Sequence, residues 1–183
     1  MHVSREVFFM KRVVIVGASS SGKTSLAKII SKKKAIPHIE MDNFFWLPEW
    51  KRRPFDEFKN LVVKAIEKPE WVLCGNQSKI IPMLWGAADT IIWLDYPLRI
   101  CLCRGFKRCM RLLFNREQCC NGNYESFSRA FFSKESIFLY IIKGHKKKKE
   151  RYPQLMKDPR YKDKTFIRLR SPNETKKWVE KLS

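Results

Sequence analysis

Five short apolar runs divide the chain, and the stretches between them carry helical spacing. Val13-Val14-Ile15-Val16 is β-branched throughout and stops at Gly17, as expected of a strand covered on both faces. Ile36 to Met41 reads as a second strand ending at Asp42. Trp71 to Cys74 reads as a third, closed by Gly75-Asn76. Thr90 to Leu94 is a fourth, ending at Asp95, and Thr165 to Leu169 a fifth. Between them, Thr24 to Lys33 places Leu26, Ile29 and Ile30 at helical intervals. Pro54 opens a helix to about Lys68, with Phe55, Phe58, Leu61, Val62, Ala65 and Ile66 along one stripe. Leu98 to about Phe114 and Ser126 to about Lys149 are basic helices, and Asn173 can cap a last helix through Leu182. The aromatic segment Phe44 to Trp50 reads as a loop, and Asn121-Gly122-Asn123 as a turn. Strands alternating with helices predict an α/β fold: a five-stranded parallel sheet with helices on both faces.

Charge changes this ordinary picture. Lys and Arg total 38 against 18 Asp and Glu in 183 residues, a formal net charge of +20. An excess of that size implies an anionic partner, a crowded phosphate site, or both. Cys74, Cys101, Cys103, Cys109, Cys119 and Cys120 show no paired zinc spacing, so they read as thiols of a reducing cytosol. Cys119-Cys120 alone leaves a metal or redox role open. Phe8-Phe9-Met10 runs directly into Lys11-Arg12, which breaks any signal-peptide core, and no apolar run approaches the ~20 residues of a membrane span. A cytoplasmic protein is expected. Met10-Lys11-Arg12 resembles a natural start, so residues 1–9 are expected to be a disordered extension before a domain over 10–183.

The chemistry sits after the first strand. Gly17-Ala18-Ser19-Ser20-Ser21-Gly22-Lys23-Thr24 satisfies G-x4-G-K-[ST], the P-loop pattern. Its glycines let successive backbone N–H groups turn toward phosphate oxygens, and the following helix aims its positive end at the same point. Lys23 can reach the β- and γ-phosphates, the Thr24 hydroxyl can ligate Mg2+, and Ser25 completes the cofactor-binding run. ATP and Mg2+ are the cofactors expected.

With these residues the chain resembles the adenylate-kinase-like P-loop kinases, within them the bacterial group labelled "DNA topology modulation protein". The resemblance covers about residues 11–182. It rests on the loop, Ile36-Pro37 through Asp42 to Phe45-Trp46, Trp71 to Gly75-Asn76 with Ser78, Thr90 to Asp95, and Arg104-x3-Arg108. It implies a nucleoside monophosphate kinase-like fold with a small helical lid, the lid and basic insertion spanning about 105–150. It also implies that Arg104 stacks on adenine and Arg108 clamps phosphates. The spacing agrees, since i and i+4 share a helix face, although a merely solvated basic helix fits too. Ser171-Pro172 is similar to the segment that flanks adenine in such kinases. One departure stands out: relatives usually carry Asp before the glycine that ends the third strand, and this chain has Cys74. Asp42 and Asp95 remain as strand-end carboxylates that could act on Mg2+ through water.

Asp42 ends the second strand, where ligands of such sheets collect. It can serve as general base toward a hydroxyl acceptor, hold metal-bound water, or simply cap a turn. Trp46, Trp50, Arg52 and Arg53 follow, suited either to an anionic or base-bearing acceptor or to packing a lid. The run Lys143, Lys146 to Lys149 and Arg151 is either a solvated helix end or a nucleic-acid footprint; aromatic side chains, Phe131, Phe132, Phe138, Tyr140 and Tyr152, lie near it. The expected activity is transfer of the γ-phosphoryl of ATP to a nucleotide or other small anionic or hydroxyl-bearing acceptor, with Lys23, Asp42, Arg104 and Arg108 as the catalytic set. The alternatives are a nucleic-acid-associated nucleotide-binding regulator with weak ATPase activity, and a degenerate member that turns nucleotide over poorly because of Cys74.

Overall fold

A computed structural model describes residues 10–75, 77–127 and 136–182. The expected extension over residues 1–9, Asn76 at the end of the third strand, and Phe131 and Phe132 lie outside the described residues, as do residues 128–135 of the helix expected from Ser126.

Strands β1 (Arg12–Gly17), β2 (His38–Glu40), β3 (Trp71–Cys74), β4 (Thr90–Leu94) and β7 (Thr165–Leu169) form one sheet in the order β2-β3-β1-β4-β7. Every neighbouring pair in it is parallel. The sheet is wrapped by α1 (Lys23–Lys34), α3 (Phe55–Ile66), α4 (Ile81–Ala87), α5 (Leu98–Phe114), α6 (Ile137–Leu155) and α7 (Pro172–Glu180).

Alternation along the strands sends successive side chains to two separate cores. Val13, Ile15, Val72, Cys74, Ile92 and Leu94 pack with α1 on one face. Val14, Val16, Leu73, Ile91 and Trp93 pack with α3 and α4 on the other. β1, β3 and β4 are therefore apolar at nearly every position, which is why their sequences read as continuous runs rather than alternating ones. All five edges at the carboxyl ends point the same way, so the loops that follow β1 to β4 converge on one rim.

Several local expectations change. The aromatic segment after Asp42 begins with a one-turn helix, α2 (Met41–Phe45), followed by a 3-10 turn at Pro48–Trp50. The Trp46 N–H closes α2 onto Asp42 O at 3.1 Å. α4 begins with Pro82 in its first turn and was hidden by its shortness and its Gly86. The last helix is capped by Ser171 rather than Asn173: the Ser171 hydroxyl accepts from Glu174 N at 3.1 Å, because the helix starts at Pro172. α6 continues past the lysine run to Leu155, carrying Pro153 in its last turn. The segment expected as a helical lid contains an antiparallel hairpin, β5 (Gln118–Cys119) and β6 (Asn123–Tyr124), between α5 and α6. Its turn, at Cys120, Asn121 and Gly122, has positive φ at all three residues.

That hairpin is tied to the segment after β2 by side-chain amides. Asn123, almost fully buried, donates to Leu47 O at 3.0 Å and accepts from Trp50 N at 2.8 Å. Asn121 donates to Trp46 O at 2.8 Å, and the Trp50 indole donates to Tyr124 O at 2.8 Å. No described helix is long and apolar enough to cross a membrane.

Candidate active site

β1 ends at Gly17 and α1 begins at Lys23, and the five residues between curl tightly. A Cβ on Gly17 would meet Leu94 O at 2.7 Å and Ser21 Oγ at 2.9 Å, so no larger residue fits against β4. Gly22 adopts φ +101 as the N-cap of α1, and Ser20 sits at φ +60. The hydroxyls of Ser20 and Ser21 are buried without a hydrogen-bond partner. Buried orphan donors are costly unless something polar completes them, so the loop is built to receive an oxygen-rich group. Lys23 Nζ folds back to donate to Ala18 O at 2.8 Å.

Ser19 through Ser25 line a cleft of about 1280 Å³. Its walls include Glu40, Asp42 and Cys74 from β2, α2 and β3, Arg104 and Arg108 from α5, and Pro172 and Thr175 from α7. The Arg104 guanidinium donates to Ser21 O at 2.8 Å and lies 5.3 Å from the Tyr96 ring centroid. Ser171 caps α7 at the edge of this region, and Pro172 reaches the cleft itself.

A second cavity of about 610 Å³ opens beside the first. Asp42, Arg108, Ser19 and Ser20 line both. Phe45, Trp46, Trp50 and Arg52 form one wall of the second cavity, and Tyr140, Lys143, Lys147, Lys148 and Arg151 of α6 form another. The aromatic wall is edge-packed: Phe45–Trp46 centroids are 4.9 Å apart and Trp46–Trp50 5.4 Å, with the Arg52 guanidinium 5.9 Å from the Trp46 ring.

Electrostatics mark the junction. Desolvation in the cleft pushes Asp42 above the usual carboxylate range, opposed mainly by Lys23. Desolvation likewise pushes Lys23 below the usual lysine range, opposed mainly by Asp42. A carboxylate and an ammonium with opposed shifts at the meeting of two cavities suit proton and charge management during group transfer.

Sequence reasoning missed Glu40. It pairs in register with Cys74 across β2 and β3, and its carboxylate accepts from the Thr24 hydroxyl at 3.1 Å. A carboxylate therefore reaches the Thr24 hydroxyl from the neighbouring strand, although position 74 lacks one. The alternation Glu40-Met41-Asp42 was the available signal: two acids around a fully buried Met41. Cys74 itself lies 3.7 Å from Thr24 Oγ1 and 3.2 Å from His38 Nε2. Burial raises its thiol to about 11, so it stays neutral and does not replace a carboxylate. The hard oxygen set of Thr24, Glu40 and Asp42 fits Mg2+, which keeps most of its shell as water and phosphate oxygen. Asp95 does not join it: Arg168 donates to its Oδ2 at 2.6 and 2.9 Å, and Lys149 lies 3.1 Å from Oδ1.

The chain matches no protein-family model. It is 28% identical over 130 residues to an uncharacterised protein of Bacillus subtilis (strain 168), YqaC, covering 70% of this chain and 72% of that one. Among solved structures, a shikimate kinase from Acinetobacter baumannii in complex with shikimate superposes with a TM-score of 0.60 at 11% identity, covering 98% of this chain and 94% of that one. The fold is that of the P-loop kinases. A shikimate kinase from Bacteroides thetaiotaomicron matches at 0.56 and 15% identity over 94% and 96% of the two chains. A gluconokinase from Sinorhizobium meliloti 1021 matches at 0.54 and 14% over 95% and 90%. These likenesses carry the P-loop kinase architecture and not the narrower topology-modulation group.

Proposed function

We propose that this protein transfers the γ-phosphoryl group of ATP to a small-molecule acceptor. The observation that carries the reading is the shared border of the two cavities: Asp42, Arg108, Ser19 and Ser20 face both, next to Lys23 and Thr24. A donor in the larger cleft and an acceptor in the smaller one would meet at these side chains.

In this scheme the backbone of Gly17 to Gly22 and the hydroxyls of Ser20, Ser21, Thr24 and Ser25 bind the phosphates. Lys23 leaves Ala18 O for the β- and γ-phosphates, and Arg104 leaves Ser21 O to stack on the base beside Tyr96 and Pro172. Arg108 neutralises charge on the transferred group. Thr24, with Glu40 and Asp42, would hold Mg2+, which would supply positive charge against the phosphates. Asp42 takes the proton of an acceptor hydroxyl as the new O–P bond forms. The bond from Pγ to the β–γ bridging oxygen breaks, and ADP leaves with that electron pair. Its raised pKa keeps the carboxylate basic enough to accept a proton.

The nucleic-acid alternative draws on the lysine run, but Lys147 and Lys148 line the acceptor cavity and Lys149 is paired with Asp95. The charge that suggested a polymer footprint is largely turned toward a small-molecule site in the cell's cytoplasm. The test is ADP formation from ATP and Mg2+ against sugars, acids, nucleosides, nucleoside monophosphates and DNA, with Lys23→Ala as control. Stimulation by one small acceptor with a phosphorylated product supports the proposal. Stimulation by DNA alone, or equal turnover by Lys23→Ala, defeats it.

A further inference from the structure

The cationic stripe of α6 has a direction. Tyr140, Lys143, Lys147 and Arg151 recur at intervals of three and four residues, and they line the 610 Å³ cavity together with Lys148. Lys146 and Glu150, on the other side of the helix, do not, and Lys149 faces Asp95. A merely solvated helix end would show no such sorting. Around the cavity stand six cations (Arg52, Arg108, Lys143, Lys147, Lys148 and Arg151) against two carboxylates, Asp42 and Glu125. Among the described residues, Lys143, Lys147 and Arg151 have no ion-pair partner. Unpaired cations facing a cavity of small-molecule size are arranged for an anion.

One carboxylate, Asp42, stands where phosphoryl transfer would occur. An acceptor whose own anionic group sat there would be repelled, whereas a hydroxyl would be welcomed. We propose that the acceptor is a hydroxyl-bearing small molecule that also carries a phosphate or carboxylate group, and that the Lys143–Lys147–Arg151 stripe of α6 holds that anion while the hydroxyl meets Asp42. The aromatic wall of Phe45, Trp46 and Trp50 covers the body of the molecule. This assignment rests on the phosphotransferase reading and adds to it the chemical class of the acceptor and the residues that select it. Desolvation and the nearby Lys23 lower Lys148 to about 8, so an anion in the cavity would favour its charged form.

The deciding experiment uses the full chain with its donor cleft saturated by ADP and Mg2+. Inorganic phosphate and, in a separate arm, acetate are titrated against the wild type and the Lys147→Ala/Arg151→Ala double variant. Thermal melting checks that the variant is folded. The expected result is binding of one of these anions to the wild type, weakened about tenfold or more in the double variant, with ADP affinity the same in both. The stronger arm tells a phosphate from a carboxylate. Anion affinity unchanged by the double substitution, or no anion binding to the ADP-loaded wild type, overturns the proposal. Turnover then provides a second check with neutral and anionic members of matched pairs, glucose with gluconate and glucose 6-phosphate, and thymidine with its 5′-monophosphate. A neutral member that stimulates ADP formation better than its anionic partners also overturns it. Failure of the underlying reading looks different: ADP itself would not bind, or Lys23→Ala would turn ATP over as the wild type does.

Discussion

The two halves of the cleft are built by different means. In the proposed scheme the donor half is a stretch of eight consecutive residues whose recognition groups would be mostly backbone N–H, positioned by glycines and by the start of α1. The proposed acceptor half is assembled from side chains of α2, the 3-10 turn, α5, the hairpin and α6, drawn from residues 42 to 152. A backbone site tolerates little change in shape and recognises one group, phosphate. A side-chain site can be re-specified by a few substitutions, which is how one fold serves many acceptors.

This contrast can be broken from the donor side first. Lys23→Ala should lower phosphoryl transfer by about 10³-fold while leaving the fold intact, because it removes the mobile cation from the transferred charge. Steady-state turnover together with a thermal melt reads both. Next, at the border, Asp42→Asn should cost about 10²-fold in kcat with little change in ATP affinity. A loss confined to ATP affinity would leave Asp42 with the metal role alone.

The halves are also joined mechanically, and Gly75 tests the joint. It has φ +155, and a Cβ there would lie 2.4 Å from Met41 Cβ, the residue before Asp42. Gly75→Ala should destabilise the protein by about 2 kcal/mol, seen as a drop of several degrees in Tm. It should also displace Asp42 enough to reduce turnover.

The smallest effect sharpens the acceptor side. Lys148 is held at about 8 in the folded protein, below the lysine value in an unfolded chain, so the folded state binds fewer protons between those two values. Stability from this group is full above the unfolded pKa and is lost as pH falls toward about 8. Lys148→Met should therefore flatten the rise in Tm between pH 8 and pH 10 and raise Tm slightly at pH 7. An unchanged Tm–pH profile would show that Lys148 is solvated and not part of the cavity wall.

Much of this molecule was open to a reader of the chain. Continuous apolar strands can only be buried on both faces, so a parallel sheet between helix layers followed from Val13–Val16, Trp71–Cys74 and Thr90–Leu94. The phosphate loop was equally legible, since its function depends on local backbone geometry within eight residues. Arg104 and Arg108 could be paired because a helix repeats every 3.6 residues. What the chain could not show depends on neighbours distant in sequence. Glu40 reaches Thr24 only because β2 runs in register beside β3. Asp95 leaves the expected metal group because β7 brings Arg168 alongside it. Lys143, Lys147 and Lys148 of α6 join a cavity wall because α6 lies across α5, where a Cβ on Gly105 would meet Ile141 Cδ1 at 2.6 Å. Local periodicity is written in consecutive residues, whereas the facing of one element toward another is settled only when the whole core packs.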